Sequence, residues 1–200
     1  MIRKILGDIF LKSMRVMTLL KGRTFSYLAA GGFVRYGLGS LLMPPVFISG
    51  EKGIKIGDQV YIGPRSWIRA HGDALANRAI VIDIGNGTTI SGSFTLSAAK
   101  SVIIEENVLI GFNVCIVDHI HKYTDEQLPI KLQGVDKIAP VKVCKGSWIG
   151  QNVVICPGVT IGKMSVVGAN SVVTHDVPAR CIAVGAPCRV IKQIAYPDEQ

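Results

Sequence analysis

An aliphatic residue returns at every sixth position through the C-terminal part of the chain. The unbroken series is Val143, Ile149, Ile155, Ile161, Val167 and Val173. Four positions after each member lies a small or β-branched residue: Ser147, Val153, Val159, Ser165, Ser171 and Val177. This period is neither that of a helix nor that of simple strand alternation. It predicts short strands joined by tight turns, with three hexapeptides closing one triangular coil and the aliphatic side chains stacked inside.

The same phase occurs earlier in shorter runs, which begin at Ile56, Ile84 and Ile104. Between the runs the phase slips at 69–83, near 102–103 and at 117–142, and such slips mark loops that leave a stack of repeats. We therefore predict a repeat domain over 46–190 with one long excursion loop over 117–142. A basic, partly helical segment over 1–45 precedes this domain, and a short tail over 191–200 follows it.

The N-terminal segment differs from the rest in charge. Residues 1–36 hold seven basic side chains and one acid, Asp8, and so carry +6 of the chain's net charge of +8. Apolar residues recur there at helical spacing, which predicts an amphipathic basic helix; they are Ile2, Ile5, Leu6, Ile9 and Phe10. Two interpretations stay open: residues 1–36 lie on an anionic membrane surface or a lipid-linked acceptor, or the helix caps the open end of the repeat. We expect no nucleic-acid partner.

The cysteine content favours a reducing compartment. The chain has five cysteines and no CxxC pair, so neither a disulfide framework nor a zinc knuckle is expected. No stretch reaches the roughly 18 consecutive apolar residues of a spanning helix. We expect a cytoplasmic protein, with peripheral contact at the inner face of the membrane as the alternative.

Three segments carry a family resemblance. GSWIGQNVVICPGVTIG at 146–162, VGANSVVTHDVP at 167–178 and AVGAPCRVIK at 183–192 resemble the galactoside and maltose O-acetyltransferases. The basic N-terminal extension and the DHxH sequence at 118–121 also resemble the polysaccharide and lipopolysaccharide O-acetyltransferases. The resemblance implies an all-β fold, a left-handed parallel β-helix of hexapeptide repeats. It also implies a homotrimer with active sites between subunits, acetyl-CoA as cosubstrate, a carbohydrate acceptor that could be lipid-linked, and no metal.

The long loop holds the candidate catalytic base. Transfer of an acetyl group to a hydroxyl needs a base for the hydroxyl proton, and a neutral imidazole suits that task. By resemblance His119 matches the catalytic histidine of the family. Asp118 and His121 are expected to contact the acceptor, although His121 could equally orient His119. Ser93 lies where the galactoside enzymes have an acceptor-binding asparagine, which puts a small free sugar in doubt as the acceptor.

The resemblance also assigns the donor site. The repeat pattern places Trp148, at the WIG position, in a turn. The resemblance predicts that it lies beside the thioester, where its indole N–H can donate or its ring can wall the pantetheine arm. The predicted coenzyme contacts are Gln151, Ala169, Thr174, His175, Arg189 and Lys192, the last two facing phosphates. His71 stays unassigned and is expected to be exposed.

Three alternatives remain at this stage. Carbonic anhydrases with the same fold bind zinc through three histidines, and His119, His121 and His71 could supply such a set. An acyltransferase acting on an amine, as sugar or xenobiotic N-acetyltransferases do, would keep the same mechanism. A scaffold without catalytic activity would need neither His119 nor Trp148.

Overall fold

A computed structural model describes residues 2–71 and 80–195 of the chain. It begins with one long helix, α1 (Ile2–Ala29), which a short 3-10 turn (Ala30–Gly32) follows. Residues 3–21 are exposed, whereas the last turns of α1 pack on the first coil of strands. There the Ser26 hydroxyl accepts a hydrogen bond from the backbone N–H of Leu42 at 2.8 Å. The helix therefore caps the end of the repeat with its C-terminal turns only.

The strands form three parallel faces, which the chain visits in the order A, B, C in each coil. Face A contains β1 (Arg35–Tyr36), β4 (Ile54–Ile56), β7 (Ile82–Ile84), β10 (Val102–Ile104), β15 (Val141–Val143) and β18 (Thr160–Ile161). Face B contains β2 (Leu41–Leu42), β5 (Tyr61–Ile62), β8 (Thr89–Ile90), β11 (Leu109–Ile110), β16 (Trp148–Ile149), β19 (Val166–Val167), β21 (Cys181–Val184) and the antiparallel β22 (Arg189–Gln193). Face C contains β3 (Val46–Ser49), β6 (Ser66–Ala70), β9 (Thr95–Ala98), β12 (Cys115–Val117), β17 (Val154–Ile155) and β20 (Val172–Val173).

The aliphatic repeat positions point inward and stack in register. On face A the stack runs through Ile56, Ile84, Ile104, Val143 and Ile161, which are direct partners across neighbouring strands. Each of these side chains is 0–1% exposed. The residues four positions later are also buried, and the small ones among them let the corners approach the axis. The predicted all-β fold, a left-handed parallel β-helix of hexapeptide repeats, is confirmed.

Turns at the corner between faces B and C adopt left-handed backbone conformations. Asn113, Asn152 and Asn170 have φ of 57°, 58° and 60°. Asparagine tolerates this region better than other residues with a side chain. Their amides also form a ladder, since Asn113 Nδ2 donates to Asn152 Oδ1 at 3.0 Å and Asn152 Nδ2 donates to Asn170 Oδ1 at 2.9 Å. Side-chain hydrogen bonds thus hold successive coils together outside the core.

Three boundaries differ from the sequence prediction. The first coil starts inside the segment 1–45, because β1 and β2 pair with β4 and β5. No loop leaves near 102–103, where the short turn 99–101 leads directly into β10. The beginning of the predicted tail, residues 191–193, continues β22, and residues 196–200 lie outside the described part of the chain.

The long excursion leaves at the corner between faces C and A, which we call the CA corner. It spans residues 118–140 and contains a small antiparallel pair, β13 (Ile120–His121) with β14 (Val135–Asp136), and a 3-10 turn (Ile130–Leu132). Its neck is closed by the backbone N–H of Ala139, which donates to the Asp118 carbonyl oxygen at 2.8 Å. The slip predicted at 69–83 leaves at this same corner, although residues 72–79 lie outside the described part of the chain.

The inward stack predicts a sharp contrast between two neighbouring isoleucines of β10. Ile104 is 1% exposed and Ile103 is 39% exposed. Ile104→Ala should lower the free energy of unfolding by about 2–5 kcal/mol, because it opens a cavity in the core. Ile103→Ala, the matched control, should cost less than about 1 kcal/mol. Urea unfolding followed by circular dichroism measures both, and equal losses would contradict the inward assignment.

Candidate active site

A buried histidine lies near the start of the excursion. Only Asp118 separates His119 from the end of β12, and His119 is only 9% exposed. Its Nδ1 lies 2.7 Å from the Asp118 Oδ1. An ionised carboxylate accepts hydrogen bonds but cannot donate, so this contact places the imidazole proton on Nδ1 and leaves the lone pair on Nε2. The arrangement prepares His119 Nε2 to accept a proton.

Asp118 is held by the backbone of the neighbouring coil. Its carboxylate accepts hydrogen bonds from the N–H groups of Ala99, Lys100 and Ser101 at 2.8, 2.7 and 2.8 Å. The side chain is fully buried. The expectation that Asp118 contacts the acceptor is therefore wrong for this geometry, because the protein surrounds its carboxylate. Asp118 instead fixes the ring orientation of His119.

A second histidine, His71, packs against the first. The rings of His71 and His119 meet edge to face with centroids 4.8 Å apart. His71 Nε2 lies 3.0 Å from the hydroxyl oxygen of Ser97, a buried residue of β9. The sequence prediction of a simply exposed His71 is wrong. The available signal was positional, since His71 and His119 both occur where the repeat is interrupted after a face C strand.

Three other predicted site residues lie at the CA corner or on its excursion, and their side chains are exposed. His121 lies on β13 and pairs with Val135 of the excursion hairpin, with its side chain in solvent. Thr174 and His175 follow β20 at the same corner, where the Thr174 hydroxyl lies 2.9 Å from His175 Nδ1.

Face B presents a shallow groove with small residues along it. Trp148 lies on β16 and is 51% exposed, so it occupies a strand position and not the turn position expected from the sequence. Its side chain points outward, opposite to that of the buried Ile149. Trp148, Gln151 and Ala169 line the groove, which has a volume of about 460 Å³ and is floored partly by Gly150 and Gly168.

Ser93, Arg189 and Lys192 lie elsewhere on the surface. Ser93 occupies the corner between faces B and C with φ of 48°, and its hydroxyl oxygen accepts a hydrogen bond from Arg65 Nε at 3.2 Å. Arg189 and Lys192 are exposed on β22, at the end of face B. Arg189 Nη1 donates to the Cys188 carbonyl oxygen at 2.8 Å.

Within one chain the predicted site residues fall into two separate groups. One group, His119, Thr174 and His175, lies at the CA corner. The other group lines the face B groove: Trp148 lies on face B, and Gln151 and Ala169 lie where face B meets face C. In a triangular coil, face B is the side opposite the CA corner. The Trp148 ring and the His119 ring therefore cannot meet in a single copy of the chain.

Burial raises the thiol pKa of several cysteines. Burial raises the pKa of the Cys115 thiol, and the neighbouring Cys156 raises it further. Burial likewise raises the pKa of Cys156 and of Cys144. A thiol with a raised pKa carries little thiolate near neutral pH. These three thiols are therefore not activated as nucleophiles.

The described residues contain neither a metal-binding cluster nor a membrane-spanning helix. Within 2–71 and 80–195, no three histidine, cysteine, aspartate or glutamate side chains cluster in a way that could hold a metal ion. In the same ranges, no helix combines the length and apolar character needed to cross a bilayer.

Comparison with known proteins defines the class. The family model described as bacterial transferase hexapeptide (six repeats) matches residues 140–175, and the hexapeptide repeat of succinyl-transferase matches residues 101–117. Together with the parallel three-faced coil, these matches show that residues 101–117 and 140–175 are similar to the hexapeptide repeats of bacterial transferases.

Two relatives and one solved structure show how similar the chain is to known acetyltransferases. The galactoside O-acetyltransferase of Escherichia coli is 40% identical over 113 residues, covering 56% of this chain and 54% of that protein. A Saccharomyces cerevisiae protein named for an acetyltransferase activity is 35% identical, covering 79% and 65%. The chain thus spans less than two thirds of the length of these relatives. The structure of a Vibrio cholerae hexapeptide-repeat acetyltransferase complexed with acetyl coenzyme A is similar, with a TM-score of 0.61, 27% identity and coverage of 85% and 76%.

Proposed function

We propose that this protein transfers the acetyl group of acetyl-CoA to a hydroxyl of a carbohydrate, in the assembly of a polysaccharide or lipopolysaccharide. The observation that carries the proposal is the His119 imidazole, whose Nδ1 is fixed by the buried Asp118 carboxylate. A base in this tautomer suits proton removal from a neutral hydroxyl. The similarity to the galactoside O-acetyltransferase and to the acetyl-CoA-bound V. cholerae structure supports the donor and the hydroxyl acceptor.

The proposed reaction is a direct acyl transfer. The acceptor oxygen attacks the thioester carbonyl carbon while its proton passes to His119 Nε2. The tetrahedral intermediate then collapses, the carbon–sulfur bond breaks, and the imidazolium returns the proton to the leaving thiolate. The products are an acetyl ester and the free coenzyme thiol. Asp118 stabilises the transient imidazolium through Nδ1–H, as a carboxylate does in a catalytic triad.

The groove on face B fits a long, thin donor. Small residues at Gly150, Gly168 and Ala169 leave room for a pantetheine arm, and Trp148 offers a flat apolar wall. In this proposal Gln151 forms hydrogen bonds with the amides of the pantetheine arm. Thr174 and His175 of a neighbouring copy contact the same arm. Arg189 and Lys192 are exposed cations of the kind that bind phosphates.

The separation of the two groups supports a homotrimer with shared sites. Since Trp148 and His119 lie on opposite sides of one chain, a site that uses both needs a second copy. A heterologous contact between copies forms a ring when its rotation closes, and three triangular prisms around one axis are such a ring. We therefore place each active site between two subunits.

We assign His71 a positioning role. Its ring covers one side of the His119 ring, and Ser97 fixes His71 in turn. Together, Asp118 and His71 hold the imidazole from two directions, and small displacements of a catalytic group are costly.

The first test measures His119 directly. His119→Ala should lower the rate of thiol release from acetyl-CoA by about 10²–10⁴-fold, because the hydroxyl proton loses its acceptor. His121→Ala, two residues away and exposed, is the matched control and should change the rate little. An acceptor panel with paired hydroxyl and amino sugars distinguishes O-transfer from N-transfer. Full activity of His119→Ala, or turnover only with amino sugars, would contradict the proposal.

The second test separates positioning from binding at His71. His71→Ala should lower kcat about tenfold without changing the KM for acetyl-CoA, since the misplaced base affects only the chemical step. His71→Phe keeps a ring against His119 and should recover most of kcat. An unchanged kcat in His71→Ala, or a kcat for His71→Phe as low as that of the alanine variant, would refute the positioning role.

A further inference from the structure

The first two thirds of α1 are exposed to solvent on all sides. Every side chain from residue 3 to residue 21 is exposed, and buried positions begin only at Gly22 and Ser26. In proteins, most of the stability of a helix comes from the packing of an amphipathic face and less from helix propensity. Most stable helices in proteins bury an apolar face. Residues 3–21, which we call the α1 arm, therefore need a surface on which to lie.

The α1 arm has an apolar side, which Ser13 interrupts. Ile5, Ile9, Val16 and Leu20 are separated by four or seven residues and so fall on one side of the helix. Leu6, Phe10 and Met17 extend this side, and all seven side chains are 50–62% exposed. The other side carries most of the charge, at Lys4, Asp8, Lys12 and Arg15, together with Leu11 and Leu19.

The charge of the α1 arm decides between two occupants. Its basic residues are Arg3, Lys4, Lys12, Arg15 and Lys21, against the single acid Asp8, for a net charge of +4. Arms from other copies of this chain carry the same positive charge, so two arms packed together would repel each other. An anionic lipid surface accepts the apolar side and attracts the cations.

We propose that the α1 arm lies in the headgroup region of an anionic bilayer and holds the β-helix at that surface. Ile5, Ile9, Phe10, Val16 and Leu20 enter the acyl boundary, and Lys12 and Arg15 contact anionic headgroups. Attachment at one end of the prism leaves the CA corner accessible. The inference stands on the exposure, spacing and charge of α1 and does not depend on the acetyl-transfer chemistry.

Vesicle flotation of the full chain tests the proposal. The protein should float with phosphatidylcholine vesicles containing phosphatidylglycerol at low ionic strength, and not with phosphatidylcholine alone. Lys12→Glu with Arg15→Glu should lower the partition coefficient by at least about tenfold. Lys52→Glu with Lys163→Glu changes the net charge equally at exposed positions outside the arm, and this pair should leave flotation unchanged.

Three results would overturn the proposal. The first is failure of the full chain to float with anionic vesicles. The second is an equal loss of flotation in both double variants, which would indicate a general charge effect. The third is loss of the oligomer in the apolar variant described next. Ile9→Glu with Phe10→Glu tests the apolar side separately and should also abolish flotation. Circular dichroism and light scattering establish that each variant keeps its fold and assembly, and loss of the oligomer in Ile9→Glu with Phe10→Glu would identify a second copy as the occupant.

Discussion

The register of the inward stack controls the rest of this structure. Each coil places an aliphatic side chain directly over its counterpart, as in the series Ile56, Ile84 and Ile104. A parallel coil cannot bury its own edge, so every coil depends on the next for both hydrogen bonds and apolar contacts. Any insertion within a face would shift the stack out of phase. Extra residues can therefore leave only at corners, and this confines the candidate chemistry to corners and outward faces.

The candidate site uses this constraint. The excursion of 118–140 leaves at a corner that the rigid stack fixes, and its first residue supplies the carboxylate that returns to the turn 99–101. A buried anion bonded to three backbone N–H groups is not free to reorient. The repeat therefore fixes the position of His119, although His119 itself lies outside the repeat. The other outward positions can vary with little consequence for the fold, which is why one scaffold can present different chemistry.

The sequence predicted the repetitive part of the fold well and the irregular parts less well. A strict period leaves few alternatives for residues 143–177, where each aliphatic position is buried as predicted. The start of the coil at β1 was missed because Arg35–Tyr36 and Leu41–Leu42 lack the full hexapeptide pattern. His71 and His119 are far apart in sequence, and their shared position after interruptions of the repeat was the only local signal for their contact. The burial of Asp118 could not be predicted from the sequence either, because an aspartate beside a histidine can bind a ligand or orient the histidine.

The central claim is that one active site requires residues from two copies of the chain. Co-expression of His119→Ala and Trp148→Ala chains, followed by isolation of the mixed oligomer, tests it most directly. Each variant alone should have little activity in thiol release from acetyl-CoA. In every mixed trimer, one of the three interfaces joins an intact His119 to an intact Trp148, so the isolated mixed trimer should have about a third of wild-type activity. If the mixed oligomer stays as inactive as the separate variants, the site is formed within single chains and the account is contradicted.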